Sequence, residues 1–287
     1  MKQGLDANGK VAIVTGGSSG IGFGIAKALA EFSATVVVVD IQDKAKLEHQ
    51  FMDVPGPTAY YEADVAQPSE IQAVVAEVVK RFGKVDILVN NAGIAHVDPI
   101  GEINFDRWSR LIEINLKGAA VCANSVAPFM TQSGWGRIIN ISSAWAIVGV
   151  QTYSAYGASK AGIKQLSRIW AAELAPYGIT VNSICPGWVK TPMLPNFISR
   201  LAALHQLPVE KVLEEVLHYV PQKRFLEVEE IAFSAVFLCS ELAGGITGTE
   251  LVVDAGLTST LPDGLFTKKG KTSADYGRIK DEIFMQM

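Results

Sequence analysis

Tyr156 and Lys160 stand four residues apart in "SAYGASKAG", a run otherwise made of small residues. If the run is helical, the two side chains share one face, one turn apart. A phenol, ordinarily titrating near ~10, becomes a readier donor and acceptor of protons near neutral pH beside a fixed ammonium. The same pair also arises by chance on exposed helices, so it needs company before it means catalysis.

A second stretch offers that company. "TGGSSGIG", Thr15 to Gly22, places Gly16, Gly20 and Gly22 in a G-x-x-x-G-x-G spacing. Glycines there permit a tight turn and close approach of backbone to a pyrophosphate, and the following helix N-terminus offers free N–H groups to phosphate. No Gly-Lys-Ser/Thr follows, so this is not a Walker loop. Asp40 ends the next β-branched run, where a carboxylate can bond ribose hydroxyls and would repel a 2′-phosphate. Gly17, Ser18, Ser19 and Ile41 bring no positive charge to rescue such a phosphate, and Lys44 is the nearest cation. NAD is therefore expected over NADP. A helix N-cap is the alternative reading of Asp40.

The elements that must hold these groups alternate between strand-like and helix-like patterns. The strand-like runs are "KVAIVTG", "ATVVVVD", "TAYYEADV", "VDILVNNAG", "GRIINISS", "GITVNSICPG" and "GTELVVDAG". Between them fall helical patterns, one from about Pro68 to Phe82 with proline at a favourable first position, and one reaching about Met130. Near-continuous apolar strands in βα alternation predict an α/β fold, a doubly wound parallel seven-stranded sheet with helices on both faces. One domain is expected over 1–261, with 262–287 as a C-terminal extension.

The bulk numbers agree. The 287 residues are 49% hydrophobic and 19% charged, which suits a buried parallel sheet and a subunit interface. A net charge of −4, with scattered basic residues, weighs against nucleic acid or an anionic membrane as partner. Cys122, Cys185 and Cys239 form no C-x-x-C and read as buried, reduced thiols of a cytoplasmic protein. No apolar signal core opens the chain, and no run is long enough for a membrane span. No metal ligands are assigned.

Taken in order, "TGGSSGIG", Asp64–Val65, "NNAG" at Asn90–Gly93, Ile114–Asn115, "ISS" at Ile141–Ser143, "YGASK" at Tyr156–Lys160 and "PGWVKTP" at Pro186–Pro192 resemble the short-chain dehydrogenase/reductase family. The resemblance covers nearly all of residues 9 to 257. It implies a Rossmann-type domain with Tyr156 as general acid/base and Lys160 lowering its pKa and holding the nicotinamide ribose. Ser143, thirteen residues before Tyr156, would bond the substrate oxygen. Asn115 would support a water linking Lys160 to solvent. Ser18, Ser19 and Ile21 would join the glycines at the phosphates, and Ile41 would follow Asp40 at the ribose. Asp64 and Val65 would sit at the adenine edge, with Asn91, Ala92 and Gly93 near the adenosine ribose. Pro186, Gly187, Val189 and Thr191 would pass the nicotinamide.

Substrate choice is expected in a lid at about 191–220 and in wall positions Ala95, His96, Trp145, Val148, Gln151, Tyr153 and Trp188. Their apolar and aromatic character suggests a secondary alcohol or ketone with a hydrophobic or cyclic body. No Lys, Arg or His lies between Ser143 and Tyr156, which weakens a small hydroxy acid, although the lid holds Arg200, His205 and Lys211. Two departures from the family pattern stand out. "VDAG" carries Ala255 where the first of two glycines is usual, predicting altered packing, and the extension beyond Leu261 is long. The expected function is an NAD-dependent oxidoreductase of a secondary alcohol, acting as a homodimer or homotetramer. The alternatives are an NADPH-dependent carbonyl or 3-oxoacyl reductase and a non-catalytic nucleotide-binding protein.

Overall fold

The computed structural model of the chain describes residues 5–42 and 58–259. Lys44 and the extension from 262 lie outside them. Seven parallel strands form one sheet in the order β3-β2-β1-β4-β5-β6-β7. They are β1 (Val11–Thr15), β2 (Thr35–Asp40), β3 (Thr58–Glu62), β4 (Ile87–Asn90), β5 (Gly136–Ile141), β6 (Ile179–Pro186) and β7 (Glu250–Val253). Each of the seven expected runs is a strand.

The β-branched run of β2 shows why the sheet is buried on both faces. Val36 and Val38 enter one apolar core and Val37 and Val39 the other, as the alternation of a strand requires. The first core packs under α1 (Gly20–Glu31) through Ile25 and Leu29. The second packs under α2 (Pro68–Phe82) through Val75 and Val78. With Pro68 in its first turn and Gly83 left-handed at φ 81°, α2 has the expected bounds.

The long helix expected before Met130 differs from its pattern. It begins only at α3 (Phe105–Ile112), where the Asn104 side chain accepts the Arg107 N–H at 3.0 Å. A π-helical turn, Glu113–Lys117, then interrupts it before α4 (Gly118–Ser133). Such turns are rare and frequent at functional sites; the buried residue of this one is Asn115. After β5 comes α5 (Ser154–Leu174), carrying Tyr156 and Lys160. The expected lid is two helices, α6 (Met193–His205) and α7 (Val209–His218). They share a small core of Ile198, Ala202, Val212 and Val216. Finally α8 (Val228–Cys239) joins the α1 face, and Ile231 and Val236 are buried there.

Ala255 departs from expectation in kind. Its φ is +56°, in the left-handed region, so the missing glycine shows as backbone strain as well as packing. The Asp254 side chain pins the turn, accepting from the N–H groups of Gly256 and Thr258 at 2.9 and 2.7 Å. All three cysteines are buried and free. Among the described residues no helix is long and apolar enough to cross a membrane.

Candidate active site

In the order above, the chain reverses direction between β1 and β4, and ligands of such sheets bind at the strand C-termini there. The Thr15 hydroxyl ties the two strand ends together. It donates to Val89 O at 3.3 Å and accepts the N–H groups of Asn91 and Ala92, each at 3.1 Å. Asn91 then clamps the glycine turn, its Nδ2 donating to Thr15 O and Gly16 O at 3.1 and 2.9 Å.

Only glycine can meet these contacts. Gly16 has φ +62°, and a Cβ at Gly22 would lie 2.2 Å from Gly16 O and 2.3 Å from Asn91 Nδ2. The Ser19 hydroxyl makes no cap hydrogen bond to α1, so the first-turn N–H groups remain available to an anion. Asp40 is fixed beside them, accepting the Ser18 N–H at Oδ2, 3.1 Å away. Ile41 beyond it is 67% exposed and adds no charge.

The groups expected to handle the proton sit at the other end. Lys160 is buried, and its Nζ donates to Ile141 O at 2.8 Å; in return Ser142 Oγ donates to Lys160 O at 2.8 Å. These bonds brace α5 against β5 and place Lys160 Nζ 5.7 Å from the centre of the Tyr156 ring. Gly93 leaves room for this: a Cβ there would come within 3.1 Å of Asn115 Oδ1 and 3.5 Å of Lys160 Nζ. Asn115 itself faces Ile94, accepting its N–H at 2.8 Å and donating to its carbonyl at 2.9 Å.

The electrostatics refine the expectation about this pair. Burial pushes the Tyr156 phenol up, and the opposing influence is a hydrogen bond from Ser143. Burial likewise draws the Lys160 ammonium down to about 8. The protein's own groups therefore keep Tyr156 protonated. The Ser143 hydrogen bond is what opposes burial at the phenol.

A cavity of about 400 Å³ joins the two ends. Around the glycine turn and Asp40 it is lined by Gly16, Ser18, Ser19, Gly20, Ile21 and Ile41. Asp64, Val65, Asn91, Ala92 and Gly93 continue the wall, and Pro186, Gly187, Val189 and Thr191 close the other side. Gly22, Asn115 and Lys160 are not on the lining; they support residues that are. Ser143 and Tyr156 open onto the cavity beneath Trp145, Tyr153 and Trp188.

Phe197 of α6, which no sequence motif marks, completes this wall. Its ring lies 4.8 Å from Trp188 and 5.6 Å from Tyr153, and Trp145 meets Trp188 edge-on at 5.2 Å. Ala95 lines the cavity, whereas His96, Val148 and Gln151 do not. His96 is buried behind the wall with its Nε2 3.4 Å from Asp98 Oδ2. Burial draws its pKa down against the pull of Asp98, leaving it neutral near pH 7.

Arg110 belongs to no motif either, yet it lines the cavity near Asp64, where the two form an ion pair. No sequence signal links residues so far apart in the chain; the topology brings them together. Among the described residues no cluster of His, Cys, Asp and Glu could hold a metal ion.

Comparison with known proteins follows the same lines. A family model described as "Enoyl-(Acyl carrier protein) reductase" matches residues 16–258. The chain is 42% identical over 253 residues to the uncharacterized oxidoreductase YxjF of Bacillus subtilis, covering 87% of this chain and 98% of that protein. It is 40% identical over 255 residues to D-beta-hydroxybutyrate dehydrogenase of Rhizobium meliloti, covering 87% and 99%. Its fold matches the crystal structure of levodione reductase with a TM-score of 0.81 and 31% identity, over 88% of this chain and 99% of that one.

Proposed function

The chain belongs to the short-chain dehydrogenase/reductase family of oxidoreductases, and from that premise we propose that it interconverts a secondary alcohol and a ketone with NAD as hydride carrier. The observation that carries the reading is the cavity with Asp40 at one end and Ser143 and Tyr156 under an aromatic wall at the other. The glycine turn, the free helix N-terminus and the fixed carboxylate fit a dinucleotide whose ribose bears free hydroxyls. Asp40 also weighs against an NADPH-dependent reductase.

When bound, the nicotinamide supplies hydride acceptance or donation. The protein's groups handle the proton. Ser143 holds the substrate oxygen and steadies charge developing on it. Tyr156, kept protonated by burial, is ready to donate to a ketone oxygen; in alcohol oxidation it must first yield that proton. The Lys160 ammonium behind its ring favours the phenolate in that direction.

The substrate proposed is an alcohol with an apolar or cyclic body. Trp145, Tyr153, Trp188 and Phe197 offer ring faces and edges, and among the described residues the one arginine on the lining, Arg110, is paired with Asp64. Among those same residues a hydroxy acid would find no free cation on the lining beside Ser143 to meet its carboxylate. Lys211 of the lid is paired with Glu214 at 2.8 Å. Exposed Phe105 on α3, Ile169 on α5 and Val252 on β7 support a homodimer or homotetramer through those elements. A cytoplasmic location belongs to the same proposal.

The test is initial-rate absorbance with NAD and NADP against cyclic, aromatic and acyclic secondary alcohols and 3-hydroxy acids. Turnover with NAD on an apolar alcohol is expected. A preference for NADP, or for the hydroxy acids, would overturn the corresponding half. The double variant Asp40→Ala, Ile41→Arg is expected to move preference toward NADP; an unmoved ratio would remove selectivity from Asp40.

A further inference from the structure

Besides Asp40 the cavity is lined by Ala63, Asp64 and Val65 together with Ile114 and Arg110. A base attached to a ribose held by Asp40 reaches this end. What it meets is not a bare carboxylate. Arg110 Nη2 donates to Asp64 Oδ2 at 2.5 Å, and Asp64 Oδ1 accepts the Ala66 N–H at 3.0 Å. Arg110 Nη1 lies 3.7 Å from Glu113, so both edges of the guanidinium are oriented by carboxylates. Burial opposes ionisation of Asp64, yet Arg110 and the Ala66 N–H hold its carboxyl below the ordinary value.

Resting on the NAD reading above, we propose that Arg110 determines base specificity: with Asp64 it forms a composite edge of donors and acceptor that receives hypoxanthine about as well as adenine. A lone carboxylate at this position would favour the exocyclic amino group of adenine and repel the carbonyl that hypoxanthine carries in its place. A guanidinium beside that carboxylate reverses the second effect. It has several N–H donors and only part of them are used by Asp64. Adenine can then donate its amino group to Asp64 and accept from Arg110 at a ring nitrogen. Hypoxanthine can accept at its carbonyl from Arg110 and donate its ring N–H to Asp64. Arg110 and Asp64 side chains are 42% and 23% exposed, so the discrimination at stake is modest.

The experiment measures dissociation constants by fluorescence titration for three probes: NADH, reduced nicotinamide hypoxanthine dinucleotide and reduced nicotinamide mononucleotide. Wild type and Arg110→Ala are compared. In the wild type the two dinucleotides should bind within about threefold. In Arg110→Ala the hypoxanthine cofactor should weaken so that the ratio opens to about tenfold, the worth of one charge-assisted hydrogen bond at a partly exposed site. The mononucleotide, which has no base at this end, should be unaffected. A ratio that stays the same in both proteins overturns the proposal. Equal weakening of all three probes also overturns it, because Arg110 would then be holding the fold together. A wild type that binds no NADH fails the NAD reading instead.

Discussion

Replacing Lys160 by methionine separates the burial of its ammonium from everything else the residue does. The stem packs as before and the charge is gone. Burial draws the folded-state pKa to about 8, against 10.5 for the free side chain. Between those values the unfolded chain holds a proton that the folded one has lost, so wild-type stability must rise with pH across that window. The full penalty applies below about pH 8 and disappears near 10.5. From pH 7 to pH 9.5 the relief amounts to roughly 2 kcal/mol, since a tenfold change in a protonation equilibrium is worth ~1.36 kcal/mol. Other groups titrate in the same range. Burial raises the Cys122 and Cys239 thiols to about 12 and also raises Cys185, which costs stability as the pH passes the free-thiol value. The Cys122 and Cys239 contributions are common to wild type and Lys160→Met and cancel in the difference; Cys185, which acts on the Lys160 ammonium, is coupled to it and belongs to the measured effect. Tyr156, raised by burial from an ordinary value of 10.0, acts only above the pH 9.5 limit of the assay. The assay is urea unfolding of both proteins at pH 7 and 9.5, at one protein concentration because assembly shifts apparent stability. Wild type should gain ~2 kcal/mol on the variant between the two pH values. Parallel responses would show that the buried ammonium is compensated in place, and a Lys160 destabilised by burial would have to be abandoned.

Tyr156→Phe should retain NADH binding within about twofold and lose at least ~10³-fold in kcat, the scale of an abolished acid–base step; retained turnover would move the proton elsewhere. Gly22→Ala forces a methyl against Gly16 O and Asn91 Nδ2, at 2.2 and 2.3 Å, and should abolish NADH binding in titration and lower the melting temperature. Normal binding would mean the turn is not the phosphate cradle. Phe197→Ala should raise KM for an apolar alcohol by about tenfold with a smaller change in kcat, as lost ring packing predicts. An unchanged KM would take α6 out of the substrate wall.

The strands are legible in the sequence because β-branched runs such as "ATVVVVD" have few other uses, and α2 because proline and glycine mark its two ends. The glycine turn, Asp40 and the Tyr156/Lys160 face are legible because the roles proposed for them require a local spacing. The π-turn at Glu113–Lys117 is not, since nothing in "EINLK" distinguishes five residues of π-helix from α-helix, and the Asn115–Ile94 bonds made from it are tertiary. The cap at Asn104 does leave a signal, a residue of capping type before an amphipathic stretch. Phe197 and Arg110 reach the cavity through tertiary folding, and periodicity along a helix does not say what lies across from it. Ala255 shows a different limit: the missing glycine is visible, but its left-handed backbone is not.

Phe197 of the wall and the groups proposed to move the proton hang from different parts of the molecule. Ser143, Tyr156 and Lys160 are referenced to β5 and α5, braced by the bonds of Lys160 to Ile141 and Ser142 to Lys160. Phe197 is referenced to the separate small core of α6 and α7, touching the rest through Trp188 and Tyr153. On the proposed reading, drift in α6 and α7 changes which alcohol is admitted while the destination of its proton stays fixed. On that reading, retuning through Phe197 is a problem in two helices, while Trp145, Tyr153 and Trp188 stay with the strand ends and α5.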